Sequence, residues 1–161
     1  YDAQIITNSK HMADLFEAAT AICKKPKKVS NWLMGETLRL LKENNMDPED
    51  IRFSPVNLAK LIDLADSGSI TNTVAKEVFE RIFKDDIDPE KYVEEKGLKT
   101  VNDEGALRET VQKILAENPQ SVEDYHNGKE KAIGFLVGQT MKAMKGKANP
   151  ALVNQILKEL L

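Results

Sequence analysis

The sequence predicts an all-α chain arranged as two small helical bundles, and three features lead there. Apolar residues recur at the 3.6-residue spacing of one helix face in segment after segment, and no segment sustains the period of two that a half-buried strand needs. Aromatic residues make up only 6% of the chain, so the core must come from Leu, Ile, Val, Ala and Met, which favour helices. Capping residues, prolines and glycines punctuate the pattern at helix-length intervals. With 161 residues, 41% hydrophobic and 30% charged, there is material for one ordinary domain or two small ones.

The elements follow in order. Asn8-Ser9 caps a first helix with Met12, Leu15, Phe16, Ala19 and Ile22 on its apolar face. Pro26 ends it and opens a second, roughly 27–44, with Val29, Trp32, Leu33, Leu40 and Leu41 inward. Asn44-Asn45 and Asp47-Pro48 form the next turn. Ser54 is an N-cap with Pro55 first in a helix that carries Leu58, Leu61, Ile62 and Ala65. Ser67-Gly68-Ser69 breaks that helix, and Thr71 or Asn72 starts another with Val74, Val78, Phe79, Ile82 and Phe83 apolar. A loop from Asp85 leads to a short helix over about 89–96, which Gly97 terminates. A second set then comprises helices at 103–117 (Leu107, Val111, Ile114, Leu115), 120–126 after Pro119, 129–145 after Asn127-Gly128, and 149–160 after Gly146. The joint falls at 97–103, which predicts a helical domain over 1–97 with four to five helices. A smaller tail domain of three to four helices occupies 98–161.

Composition narrows the function classes. No apolar run approaches the roughly 20 residues of a bilayer span, and no signal sequence is visible. A single cysteine, Cys23, cannot form an internal disulfide, which points to a reducing, cytoplasmic compartment. The start at Tyr1, in mid-pattern and without an initiator Met, points to a piece of a longer protein. Net charge is −3, but it is unevenly spread. Residues 1–127 hold 17 Lys and Arg against 24 Asp and Glu, a balance of −7, whereas 128–147 hold five Lys against Glu130, a balance of +4. An acidic chain that gathers its cations in twenty residues offers a local surface for anions.

Catalytic constellations are missing from the pattern. Zinc needs three or four close ligands, and Cys23 with the distant His11 and His126 does not supply them. Cys23 beside Lys24 and Lys25 reads as a small apolar residue closing a helix. Gly138 and Gly146-Lys147 are too far apart for a phosphate loop, and Ala148 stands where a metal-binding hydroxyl belongs. Asp85, Asp86, Asp88 and Glu90 lack the Gly and twelfth-position Glu of a calcium loop, and read as a solvated turn. Lys24, Lys25, Lys27 and Lys28 likewise read as a turn. Trp32 lies on an apolar face and reads as core. The chain is therefore expected to be non-catalytic, with no metal or cofactor of its own.

One stretch does carry chemistry. On the helix from Lys129, Ile133, Leu136, Val137, Thr140 and Met144 face inward. Lys131, Phe135, Gly138, Lys142 and Lys145 fall on another face at i, i+4, i+7, i+11 and i+14. Glycine inside a helix costs about 1 kcal/mol relative to Ala, so Gly134 and Gly138 need a reason. Close packing against a second helix is one, and close approach of a sugar-phosphate backbone is the other. Lys145-Gly146-Lys147-Ala148-Asn149-Pro150 then forms a turn with Asn149 as N-cap, where lysines flank a helix N-terminus suited to a phosphate. RNA fits better than duplex DNA, because no helix arrays Arg, Asn and Gln for base edges. A protein-interaction module with apolar faces docking on partners is the rival class.

The run GKEKAIGFLVGQTMKAMKGKANPALVNQILKEL, with NPQSVEDYHNGK before it, closely resembles the tail shared by the GatB and YqeY proteins. VSNWLMGETLRLL and VAKEVFERIF resemble the helical region that precedes this tail in GatB, the B subunit of the aspartyl/glutamyl-tRNA amidotransferase. Trp32-Leu33-Met34-Gly35 favours GatB over a stand-alone YqeY protein. The resemblance implies a chain that holds tRNA around its D-loop corner. It also implies an N-terminal domain, outside this chain, that uses ATP and magnesium to phosphorylate the carboxylate of misacylated Glu-tRNA(Gln) or Asp-tRNA(Asn). GatA would deliver ammonia and GatC would join the subunits. Carried over, Lys129, Lys131, Lys142, Lys145 and Lys147 would contact phosphates, and Phe135, Gly138, Gln139, Gly146 and Asn149 would shape the surface. Ser69-Ile70-Thr71-Asn72-Thr73 departs from the family, where a turn richer in Gly and Lys is expected.

Overall fold

The computed structural model describes residues 6–161. It is all-helical, and it divides into two compact units, one ending at Leu98 and one starting at Lys99. Among the described residues the β content is a single isolated parallel bridge, Val101 to Ala148.

The first unit begins with α1 (Lys10–Cys23), capped by Ser9, whose Oγ accepts the Met12 N–H at 3.3 Å. Met12, Leu15, Ala19 and Cys23 are buried on one stripe. Ile22, expected inward, is instead 47% exposed. Cys23 takes the last inward position of the helix. The expected helix over 27–44 is interrupted: α2 (Pro26–Trp32) and α3 (Leu38–Glu43) are joined by a π-helical turn, Leu33–Thr37. The Leu38 N–H reaches the Leu33 carbonyl, and the Thr37 hydroxyl donates to the Trp32 carbonyl at 3.1 Å. Four-residue steps drift around an α-helix, and the wider turn absorbs that drift so that Leu33, Thr37 and Leu41 all stay buried.

Asp47 and Asp50 form a capping box on a 3-10 turn, Pro48–Asp50, and the chain then runs extended through the buried Ile51 and Phe53. Ser54 caps α4 (Pro55–Asp66), and Leu58, Ala59, Leu61 and Ile62 are buried. Thr71 caps α5 (Asn72–Asp85), whose Val74, Ala75, Val78, Phe79, Ile82 and Phe83 are all buried. Asp88 caps α6 (Pro89–Lys96), and Gly97 ends it in the left-handed region at φ 60. The core centres on Phe79, with the rings of Trp32 and Phe53 at 5.2 and 5.6 Å.

The charge clusters of this unit are structural clasps. Lys25 pairs with Asp63 and Asp66 at 2.7 and 3.1 Å, and Lys28 with Asp66 at 3.4 Å, so two of the four lysines of the basic turn are engaged. Arg39 joins Glu36 and Glu43 to Glu80 on α5. In the acidic loop, Asp86 accepts the Ser54 N–H and the Asn57 amide, while Asp88 and Glu90 both meet Lys60. The Lys60 ammonium, with help from the Lys91 and Glu90 N–H groups, holds the Asp88 carboxyl below its ordinary range. A carboxyl whose folded pKa is depressed contributes stability above its unfolded value and loses it as pH falls through the folded one. Asp88→Asn, which keeps a capping oxygen, should therefore lower stability at neutral pH, by a margin that shrinks as pH falls below the ordinary carboxylate range. Denaturation curves of both proteins across that range check this. A gap that persists in acid would assign the effect to the cap.

The second unit starts with α7 (Glu104–Glu117), where Asp103 accepts from Gly105 and Ala106 and where Leu107, Val111 and Ile114 are buried. α8 (Pro119–His126) follows, and Gly128 at φ 86 makes the turn. α9 spans Lys131–Ala143, shorter at both ends than the expected 129–145. Lys129 and Glu130 belong to the incoming turn, and Lys145 and Gly146 are left-handed at φ 53 and 72. α10 (Pro150–Leu160) closes the unit, buries Val153, Ile156 and Leu157, and pairs Glu159 with Arg108. The core is Leu107, Val111, Ile114, Leu136, Ala148, Val153, Ile156 and Leu157.

Candidate nucleic-acid interface

The two sides of α9 differ sharply. Leu136 and Thr140 are buried, and Ile133, Val137, Met141 and Met144 pack partly buried against the second unit's core. The Thr140 hydroxyl returns to the Leu136 carbonyl at 2.9 Å, so its burial leaves nothing unsatisfied. The other side presents Lys131, Gly134, Phe135, Gly138 and Lys142, all exposed. These lie at i, i+3, i+4, i+7 and i+11, a single stripe. Phe135 leaves 48% of its surface open. A Cβ added at Gly134 or Gly138 would meet no heavy atom within 4 Å, so close helix packing does not explain either glycine. They flatten the stripe instead and leave bare backbone beside the Phe135 ring.

Lys131 and Lys142 make no ion pair among the described residues. At 1.5 Å per residue their Cα atoms stand about 16 Å apart along the helix, a reach of several phosphates. Lys145 is exposed just past the helix end. Lys129 is engaged: its Nζ lies 2.9 Å from Asp124 Oδ1, and this contact holds the Asp124 carboxyl below its ordinary range. A phosphate must draw Lys129 away from that partner.

The turn after α9 is anchored. The Gly146 N–H bonds to the Met141 carbonyl at 2.8 Å, Ala148 is fully buried, and the Lys147 carbonyl receives the Val101 N–H at 2.8 Å. Gly146 is buried, so it serves the turn and not the surface. Asn149 Oδ1 accepts the Ala151 N–H at 3.0 Å, Pro150 has no N–H, and the Val153 N–H bonds to the Asn149 carbonyl. An anion at the start of α10 would therefore be met chiefly by flanking lysines. The structure thus gathers Lys131, Phe135, Gly138 and Lys142 on one face, with Gln139 half-buried at its flank. It sets Lys145, Gly146, Lys147 and Asn149 in the turn beyond, and Lys129 at the opposite end of the helix.

Among the described residues no group of three or more His, Cys, Asp or Glu side chains could hold a metal, and no helix is long and apolar enough to cross a membrane. His11 is tied to the Ile51 carbonyl at 2.8 Å and His126 to the Leu161 carbonyl at 2.7 Å. Sequence reading overlooked Asn31, Glu36, Asn72 and Lys76, which with Trp32 line a cleft in the first unit. They come from α2, the π turn and α5, so no spacing along the chain announces them.

The described residues thus form an all-helical scaffold of two units, the second of which carries an exposed stripe with Lys131, Phe135 and Lys142. The chain belongs to the GatB/YqeY family: the family's GatB domain model matches residues 14–161. It is 71% identical over its whole length to the B subunit of the aspartyl/glutamyl-tRNA(Asn/Gln) amidotransferase of Agathobacter rectalis. It is 62% identical to that of Lachnoclostridium phytofermentans and 56% to that of a Thermoanaerobacter species, again over all of this chain. In each case it covers 34% of the relative, so the chain spans about a third of their length.

Proposed function

We propose that this chain is the tRNA-holding part of an amidotransferase B subunit, which supports ATP-dependent conversion of Glu-tRNA(Gln) or Asp-tRNA(Asn) to the amidated forms. The reading is carried by the unpaired lysines of the exposed α9 stripe, set beside Phe135 and bare glycine backbone in an otherwise acidic chain. Ammonium groups spaced along one helix neutralise backbone phosphates, which position a nucleic acid without reading its sequence. Discrimination would come from the shape of the tRNA corner. Chemistry belongs to the rest of the protein. The Gly146-Lys147 turn has the buried Ala148 where a magnesium-binding hydroxyl would stand, and the proposal assigns ATP and magnesium to the rest of the protein. GatA and GatC as partners, and a cytoplasmic location, are part of the same proposal.

Binding of the chain to tRNA across a salt series tests it. Four or five phosphate contacts predict that log affinity falls with log salt at a slope of about −3 to −4. Lys131→Glu combined with Lys142→Glu should weaken binding by about tenfold or more and flatten the slope by roughly 2, while the melting curve stays in place. Unchanged affinity would remove the stripe from the site. Salt-insensitive association with a partner protein, disrupted by Phe135→Ala, would favour a protein-interaction module instead.

A further inference from the structure

Trp32, which opens the Trp32-Leu33-Met34-Gly35 segment, and Asn72, from the Ser69–Thr73 turn, stand apart in the sequence and line one cleft in the first unit. Lys28, Asn31, Trp32, Glu36, Asn72 and Lys76 line a hollow of about 340 Å³. A second hollow of about 280 Å³ shares Lys28, Trp32 and Asn72 with it and extends to Asp66. Together they reach the size of sites that take small organic groups. Trp32 is half-buried, with Phe79 against it at 5.2 Å, and it still lines both hollows.

Charge in the cleft is balanced. Lys76 meets Glu36 at 3.0 Å and Lys28 meets Asp66 at 3.4 Å, so two cations face two carboxylates. A phosphate entering there would encounter both carboxylates, and the cleft is a poor anion site. Asn31 and Asn72 are exposed, and neither amide is hydrogen-bonded to the fold among the described residues. Each amide offers both donors and an acceptor. An indole surface, two open amides and no net charge suit a neutral, planar heterocycle with a polar edge. We propose that the cleft takes one unstacked nucleobase, lying against the Trp32 indole with its edge toward Asn31 and Asn72. The proposal takes the RNA as the source of the base from the function read above, but it uses a different unit and different residues.

Trp32 is the chain's single tryptophan, so its emission reports on this cleft alone. Fluorescence is followed while the chain is titrated with nucleosides, a short single-stranded RNA, a duplex RNA and tRNA. Single-stranded RNA and tRNA should quench Trp32, nucleosides should do so only at much higher concentration, and duplex RNA should not. Asn31→Ala with Asn72→Ala should weaken single-stranded RNA by about tenfold, the weight of the lost edge hydrogen bonds with stacking retained, without moving the melting curve. Trp32→Phe, followed by competition, should retain most of the affinity. Lys131→Glu with Lys142→Glu should leave quenching by single-stranded RNA in place, which separates the cleft from the stripe. Emission indifferent to every base-bearing probe would overturn the cleft even if tRNA still bound in a salt-dependent way. Quenching by nucleosides but by no RNA would overturn the RNA-borne base.

Discussion

Phe79→Ala should destabilise the first unit by about 3–5 kcal/mol. Phe79 is fully buried, and the rings of Trp32 and Phe53 lean on it from two directions at 5.2 and 5.6 Å. Removing the phenyl group loses its transfer energy and opens a cavity that α2, α5 and the Ile51–Phe53 segment cannot all close on. Domains are commonly stable by only about 5–15 kcal/mol, so much of the unit's margin would go. Urea denaturation followed by Trp32 emission reads the loss directly. Phe79→Leu, which keeps much of the volume, should cost far less. A loss under about 1 kcal/mol for the alanine variant would show that the aromatic contacts are not the centre of this core.

Leu136→Ala should take about 2–5 kcal/mol from the second unit. Leu136 is fully buried on the inner side of α9, in the core formed with Leu107, Val111, Val153 and Leu157. Hydrogen exchange of α9 and α10 amides would show the loss, because their protection reports local opening free energy. The comparison with Lys142→Glu is informative. The leucine variant should weaken tRNA binding through loss of the folded stripe, and added salt-independent stabilisers should rescue it. The lysine variant should weaken binding with protection intact. Equal protection in the leucine variant and the parent would remove Leu136 from the core.

Much of the fold was legible because each helix carries its own signals. Ser9, Ser54 and Thr71 cap where their side chains predict, Pro55 and Pro150 stand first in their helices, and Gly97 ends α6 with a positive φ. The α5 stripe from Val74 to Phe83 is buried as its period requires. The π turn at Leu33–Thr37 was not legible. An α-helical pattern accommodates Val29, Leu33, Leu40 and Leu41 almost as well, and only packing against the rest of the unit shows that Thr37 is inside too. Ile22 was misplaced for a similar reason: periodicity gives the direction of a side chain, and burial depends on what stands opposite.

By itself the sequence determined the helical class, the positions of the caps and breaks, and the gathering of cations near the C-terminal end. These are local properties, set by spacing, propensity and charge along the chain. Tertiary structure alone decided which charges are engaged. Lys25 and Lys28 are held by Asp63 and Asp66 from a separate helix, and Lys129 by Asp124 across a turn, whereas Lys131 and Lys142 stand open. It also brought Asn31 and Trp32 to Asn72 and Lys76, some forty positions away along the chain. Ion pairing and concavity depend on distance through space, and a one-dimensional pattern does not contain that distance until the helices have packed.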